Sequence, residues 1–249
     1  MKKRGHIRIG TSNVVVPGNK QTFPPAFRQK SRLHYCSSIF NTVEINSSFY
    51  KVPLRSTYTK WTLDVPADFQ FSLKLHREIT HVKELKGKLD SMDQFMETAS
   101  GAGKKKGCLL IQFPGKITLD YFDKVENILQ QLDKLDESRE WRKAVEFRHP
   151  SWFLGETWEL LDEYGATMVL EDIPKARQEE QRGKAGFVYM RFHGPKGDYR
   201  DSYSDKFLQD KARQIKQWLC KGMDVYAYFN NTLGNAYANA IKLKDLLDG

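Results

Sequence analysis

Cysteine is scarce: the 249 residues include three, at positions 36, 108 and 220, with no C-x-x-C pair and an odd total. That spacing excludes a disulfide framework and a zinc knuckle, and it points to reduced, buried thiols in a reducing cytoplasm. Long apolar runs are also missing. None approaches the roughly 18 residues of a membrane span, and the basic start Met1-Lys2-Lys3-Arg4-Gly5-His6 is not followed by the apolar stretch of a signal peptide. A cytoplasmic protein without membrane attachment is expected. Negative charge is the minority sign, 31 Asp+Glu against 40 Lys+Arg for a net +9, which favours anionic partners such as phosphates or nucleic acid. The glycine-rich phosphate loops G-x-x-x-x-G-K and G-x-G-x-x-G, the H-E-x-x-H zinc motif and the G-x-S-x-G elbow are all absent. No repeat, low-complexity tract or linker divides the chain. A single domain over 1–249 is therefore expected, close to the roughly 250 residues typical of one (β/α)8 barrel.

What the chain does have is about eight short apolar runs with helical patterns between them, the signature of βαβ units and a parallel sheet. The runs are 7–11, 42–46, 69–75, 107–113, 143–149, 167–170, 187–192 and 225–229. Between them, 27–40 reads as helical, and Leu85, Leu89, Met92, Met96 and Ala99 keep a helical spacing. So do Phe122, Val125, Ile128, Leu129, Leu132 and Leu135 behind a Thr118 cap, and Phe207, Leu208, Ile215, Trp218 and Leu219 behind Ser204. Ser151 is placed to cap the helix after Pro150, Gly165 to end it in a left-handed turn, and 235–247 to form the last helix. Residues 173–186 are too polar for a covering helix and read as a mobile, partly helical loop. The fold expected is a single TIM barrel around a parallel eight-stranded sheet.

In such a barrel the catalytic groups sit at the strand C-terminal ends and in the loops that follow. Those ends gather Thr11, Ser12, Glu44, Asn46, Lys74, Gln112, Glu146, Arg148, Asp172, Arg191, His193, Asn230 and Asn231, with Tyr50 and Trp152 just beyond. Glu44 and Asn46, Ser72 and Lys74, Glu146 and Arg148, and Arg191 and His193 are each two apart, so each pair shares a strand face. Each residue also has a bland reading. The glutamates can simply neutralise Arg148 and Arg191, His193 can be a hydrogen-bonded core histidine, Asn230-Asn231 can form a turn, and Tyr50 and Trp152 can be packing residues. Together they describe a polar mouth that a purely structural barrel has no reason to build, since buried ionisable groups cost several kcal/mol unless paired.

Ile9-Gly10-Thr11-Ser12, Asn41 to Tyr50, Phe69 to Lys74 with Ile79-Thr80-His81, Leu110-Ile111-Gln112-Phe113-Pro114, Val145 to Trp152, Asp172-Ile173-Pro174, Arg191-Phe192-His193-Gly194 and Tyr228-Phe229-Asn230-Asn231 together resemble the YecE-like family, a domain of unknown function numbered 72. The match runs in order over nearly the whole chain. The resemblance implies a TIM-barrel fold and carries no established reaction. One departure stands at Asn13-Val14, where the family usually has Gly-Trp.

The groups at the mouth suit proton transfer and anion binding. The first expectation is a hydrolase-like enzyme acting on a phosphate-containing small molecule or nucleic acid, with Lys74, Arg148 and Arg191 holding phosphate and Glu44, Glu146 or His193 moving protons. A second is a sugar-directed enzyme using Glu44 and Glu146 as a carboxylate pair with Trp152 as a stacking surface. A third is non-catalytic nucleic-acid binding through the basic surface. The crowd of cations argues against an obligatory metal. The sequence names no cofactor and leaves the oligomeric state unknown.

Overall fold

The computed structural model describes residues 3–87 and 89–249. Met1 and Lys2 of the basic start, and the side chain of Leu89 in the expected helical stripe, lie outside the described residues. Among those described, the strands are Ile7–Thr11 (β1), Thr42–Ile45 (β2), Gln70–Lys74 (β3), Lys106–Phe113 (β4), Arg142–Phe147 (β5), Ala166–Met168 (β6), Leu170–Glu171 (β7), Phe187–Phe192 (β8) and Asp224–Phe229 (β9). The α-helices are Arg32–Ser37 (α1), Arg55–Leu63 (α2), Arg77–Thr80 (α3), Leu89–Ala99 (α4), Phe122–Leu135 (α5), Gly155–Glu163 (α6), Asp205–Cys220 (α7) and Ala236–Asp248 (α8). The architecture is parallel α/β, in two sheets of order β1-β9-β8-β7 and β2-β3-β4-β5-β6. No helix among the described residues is long and apolar enough to cross a membrane.

Strand periodicity sorts the core. In β9, Val225, Ala227 and Phe229 pack in a cluster with α7 and α8, while Tyr226 and Tyr228 join a second cluster built from strands. In β4, Leu109, Ile111 and Phe113 face the helices, and Cys108 and Leu110 join the cluster of Tyr226 and Tyr228. This is the period-two alternation of a strand buried on both faces. The helices answer with their own period. Val125, Ile128, Leu129 and Leu132 bury one side of α5, and Ser204 caps α7 by accepting the Phe207 N–H at 3.2 Å, as expected. Gly165 follows α6 with a φ of 58°, the left-handed turn that favours glycine.

Local expectations fail where a short-range signal outcompetes a pattern. The helix read over 27–40 is confined to α1, because Ser31 caps it by accepting the His34 N–H at 2.9 Å. Leu85 falls outside α4, since Glu84 and Leu85 adopt φ values of 55° and 52°. Ser151 caps no α-helix: the His149 ring accepts the Ser151 N–H, and the Ser151 hydroxyl accepts the Leu119 N–H at 3.0 Å. α2 has no amphipathic signature, burying Tyr58 alone, and the sequence does not announce it. Residues 173–186 contain one 3-10 turn at Pro174–Ala176, and Gln178 makes an isolated bridge to Glu171. Cys36 and Cys108 are buried as expected, but Cys220, at the end of α7, is exposed.

Candidate functional site

Register brings the charged residues to one level. Glu44 pairs with Ser72, Gln112 with Glu146, Glu171 with Arg191, and Arg191 with Tyr228. Residues paired across a parallel ladder point to the same side, so these side chains converge. At the centre is Arg191, 2% exposed, each of whose three nitrogens donates to a carboxylate. Nε and Nη2 hold Glu44 at 3.0 and 2.9 Å, and Nη1 holds Glu146 at 2.6 Å. Glu44 also accepts from Ser12 at 2.6 Å and from Tyr189 at 2.7 Å. Burial pushes its carboxyl upward, but the Arg191 charge and these hydrogen bonds more than offset that and hold it below the usual range. The same balance keeps Glu146 ionised: burial opposes the charge, while Arg148 and then Arg191 hold its carboxyl far below the usual range.

A second layer is less complete. Arg148 donates from Nε to Glu146 Oε1 at 2.5 Å and from Nη2 to His193 Nε2 at 3.2 Å. A guanidinium can only donate, so Nε2 accepts and the imidazole proton sits on Nδ1. That Nδ1 is buried with no hydrogen-bond partner among the described residues, 3.4 Å from Asp172 Oδ1 and 3.9 Å from Glu171 Oε2. Burial lowers the His193 pKa, the neighbouring guanidiniums add to this, and the Asp172 contact opposes it, leaving the ring neutral. Asp172 accepts the His193 backbone N–H at 2.8 Å and the Tyr203 hydroxyl.

Among the described residues neither oxygen of Glu171 has a hydrogen-bond partner, although both are buried. Arg148 Nε lies 3.4 Å from its Oε2, but the hydrogen on that nitrogen is given to Glu146. Burial, and then the negative charge of Glu146, push the Glu171 carboxyl up to about 9, so it is protonated at neutral pH. Sequence reasoning does not single out this residue, nor Tyr189, Tyr203 and His81, which contact Glu44, Asp172 and Gln112. Glu171 adjoins the more conspicuous Asp172, and its parity in a two-residue strand is set by the Leu170–Met190 register, which no local pattern encodes.

Lys74 closes the other side. Its ammonium donates to Gln112 Oε1 at 2.7 Å and lies 4.1 Å above the Phe49 ring, while Gln112 Nε2 stands 3.4 Å from His81 Nε2. Burial, and then Arg191, push Lys74 down to about 8; burial, and then Lys74, push His81 down to about 4.

Several expected site residues lie elsewhere or serve structure. Trp152 is no stacking surface: it is buried, stacked on Phe147 at 4.2 Å, with its indole N–H on Ile117 O at 2.8 Å. Asn231 is buried and binds Asp201 O and Asn239 Oδ1, both at 3.0 Å. Thr11 turns to the loop, donating to Asn13 O at 2.8 Å. Asn13, with a φ of 61°, accepts the Asn46 backbone N–H at 3.1 Å on its side-chain oxygen and so ties the first two loops together, while Asn46 Oδ1 is buried with no hydrogen-bond partner among the described residues. Asn230 donates its backbone N–H to Phe192 O at 2.7 Å. Tyr50 is 67% exposed on the rim. Glu44 and Glu146 do converge, but both grip Arg191, so they do not form the free carboxylate pair of the sugar-directed expectation, and Arg191 is not an open phosphate ligand.

Glu146, Glu171 and His193 present metal-ligating atoms within 4.8 Å of one another, all buried. By donor type they could hold a divalent cation. Arg148, however, reaches Glu146 at 2.5 Å, His193 at 3.2 Å and Glu171 at 3.4 Å, so an ion there would sit against a guanidinium. The arrangement favours a shared proton over a metal. A hollow of about 210 Å³ lined by Ile7, Phe40, Phe69 and Leu247 opens at the N-terminal ends of the strands, far from these groups, and contains none of the residues just described.

Over its length the chain is similar to the UPF0759 protein YunF of Bacillus subtilis, with 25% identity across 91% of this chain and 90% of that one. Among solved structures, a DUF72 family protein of Thermotoga maritima superposes with a TM-score of 0.76 at 26% identity, covering 98% of this chain and all of the other (100%). A DUF72 family protein of Enterococcus faecalis superposes with a TM-score of 0.81, covering 98% and 96%; at 19% identity this likeness shows the fold alone. Residues 8–249 match the family described as "Protein of unknown function DUF72", and the chain belongs to that family.

Proposed function

We propose that this protein is an enzyme that moves protons at a phosphate-bearing substrate, hydrolysis being the reaction that needs only the groups present, at the C-terminal mouth of a closed (β/α)8 barrel. Two contacts support closure. Ser12 bridges Glu44 in parallel, joining β1 to β2, and the Val169 N–H reaches Val145 O at 2.8 Å, so that β6 and β7 read as one strand shared by the two sheets.

The observation that carries the reading is Glu171. A buried, neutral carboxyl stands beside an ionised one, Glu146, and two carboxylates with pKa values pushed apart divide naturally into acid and base. His193, neutral and with Nδ1–H unpartnered, is the third group able to carry a proton. Arg148, with 15% of its side chain exposed, covers all three. A phosphate at the mouth would compete with Glu146 for this guanidinium and draw it outward, uncovering the acid as the substrate arrives. Lys74 is the other cation on the mouth side. Arg191 has the structural part of holding Glu44 and Glu146 in place.

The test is hydrolysis of a panel of phosphomonoesters and phosphodiesters by the parent and by Glu171→Gln, which keeps the shape but removes the acid. Loss of the proton donor should lower kcat by roughly 10²–10⁴-fold. Equal rates in the two proteins would overturn the assignment.

A further inference from the structure

Lys74 is left unused by that proton-transfer step. It ends β3, and its backbone is fixed where the Ser48 hydroxyl donates to Lys74 O at 2.7 Å. Its ammonium has an amide oxygen and an aromatic face for company, with Gln112 Oε1 at 2.7 Å and the Phe49 ring at 4.1 Å. Among the described residues it forms no ion pair with a carboxylate, although Arg148 and Arg191 both add positive charge nearby. A lysine placed only to neutralise acid would sit against one of the three glutamates. This one is instead desolvated and beside other cations, the setting that turns an ammonium into a nucleophilic amine.

We propose that Lys74 forms a Schiff base with the aldehyde or ketone carbon of an open-chain phosphosugar, its phosphate meeting Arg148. This goes beyond hydrolysis and rests on the preceding reading only for the phosphate contact. With burial pushing Lys74 down to about 8, a fraction of the side chain is free amine at neutral pH. Glu146 and Glu44 act in the opposite direction on it, as does the π face of Phe49, while Arg191 and Arg148 reinforce burial. In the reaction the Nζ lone pair bonds to the carbonyl carbon, and the C=O π pair moves to oxygen, which takes up a proton as the nitrogen loses one. The carbinolamine then expels that hydroxyl as water on taking up a further proton from solvent, while the nitrogen pair forms C=N. The resulting iminium loses its N–H proton to give the imine. The sum is amine plus carbonyl giving imine plus water, with no oxidant or reductant.

The experiment is borohydride trapping, which reduces C=N to a stable secondary amine. The full chain is treated with ribose 5-phosphate in one arm and with a single-stranded oligonucleotide carrying one abasic deoxyribose in the other, then mapped by peptide mass. The expected result is one adduct per chain, on the Lys74 peptide, in at least one arm; which arm identifies a free phosphosugar or one within a nucleic-acid strand. The adduct should be lost in Lys74→Arg, which keeps the cation and its hydrogen-bonding reach, and in Lys74→Met. No adduct in either arm, or adducts scattered over surface lysines and retained in Lys74→Arg, would overturn the proposal. If a variant does not fold, the peptide map of the parent decides alone. Hydrolysis impaired by Glu171→Gln without any Lys74 adduct would remove this inference and leave the acid assignment standing; an adduct with hydrolysis indifferent to Glu171→Gln would do the reverse.

Discussion

The charged cluster has two layers that use the same residue types differently. Around Arg191 every named nitrogen meets a carboxylate oxygen, and Glu44 collects further hydrogen bonds from Ser12 and Tyr189. Around Arg148 the partners run out: both Glu171 oxygens and His193 Nδ1 lack them, and Lys74 meets an amide rather than a carboxylate. Buried polar groups are ordinarily satisfied, so a fully satisfied layer reads as scaffold and an unsatisfied one as a place kept open for chemistry. Charge alone does not separate the two layers; the state of their partners does.

The largest effect should come from breaking the scaffold. Arg191→Met leaves Glu44 buried without a cationic partner and Glu146 with Arg148 alone, and should cost roughly 3–5 kcal/mol in denaturant unfolding. Arg148→Met removes a guanidinium whose carboxylate partner Glu146 keeps Arg191, so its loss should be smaller than that of Arg191→Met in the same measurement. Its distinctive effect is on ligand: phosphate at matched ionic strength should raise the melting temperature of the parent and not that of Arg148→Met. A parent indifferent to phosphate would show Arg148 to be scaffold as well.

The pH dependence separates the layers next. In the folded protein the Glu171 pKa is raised above its unfolded value, so the native state holds a proton that the unfolded state releases. Stability attributable to this group therefore falls as pH rises from the ordinary glutamate range to about 9, and levels off above it. Glu171→Gln cannot titrate, so it should gain stability relative to the parent over that window, by an amount on the order of a few kcal/mol at its upper end. Chemical denaturation at several pH values checks this. An unchanging difference between the two proteins would mean that Glu171 is ionised when folded. The smallest effect belongs to the rim. Tyr50→Ala should change stability by no more than about 0.5 kcal/mol, because the side chain is exposed.

The layers are not equally legible in the sequence. Alternation within a strand announces which residues share a face, and so Glu146 pairs with Arg148, and Arg191 with His193, on spacing alone. That these faces meet at one level follows from ladder register, such as Gln112 opposite Glu146, which depends on long-range pairing. Nor does the sequence show that Arg191 is saturated, because its partners come from β2 and β5, 147 and 45 residues away. Glu171 is hidden by the brevity of β7 and by the more conspicuous Asp172 beside it. Trp152 looks like a platform because sequence records an aromatic ring but not its cover, here Phe122 at 6.3 Å and Phe147 at 4.2 Å. The parallel α/β class is readable throughout, since the apolar runs and helical stripes repeat on a scale that local caps and turns do not disturb.

The protonation state of Glu171 is the point on which the distinction between the layers rests. Infrared difference spectroscopy of the parent against Glu171→Gln at neutral pH reads it directly through the carbonyl stretch of a protonated carboxyl. One such band is expected in the parent, absent from the variant and titrating away as pH approaches about 9. A carboxylate signal for Glu171 at neutral pH, with no protonated band lost on substitution, would contradict it.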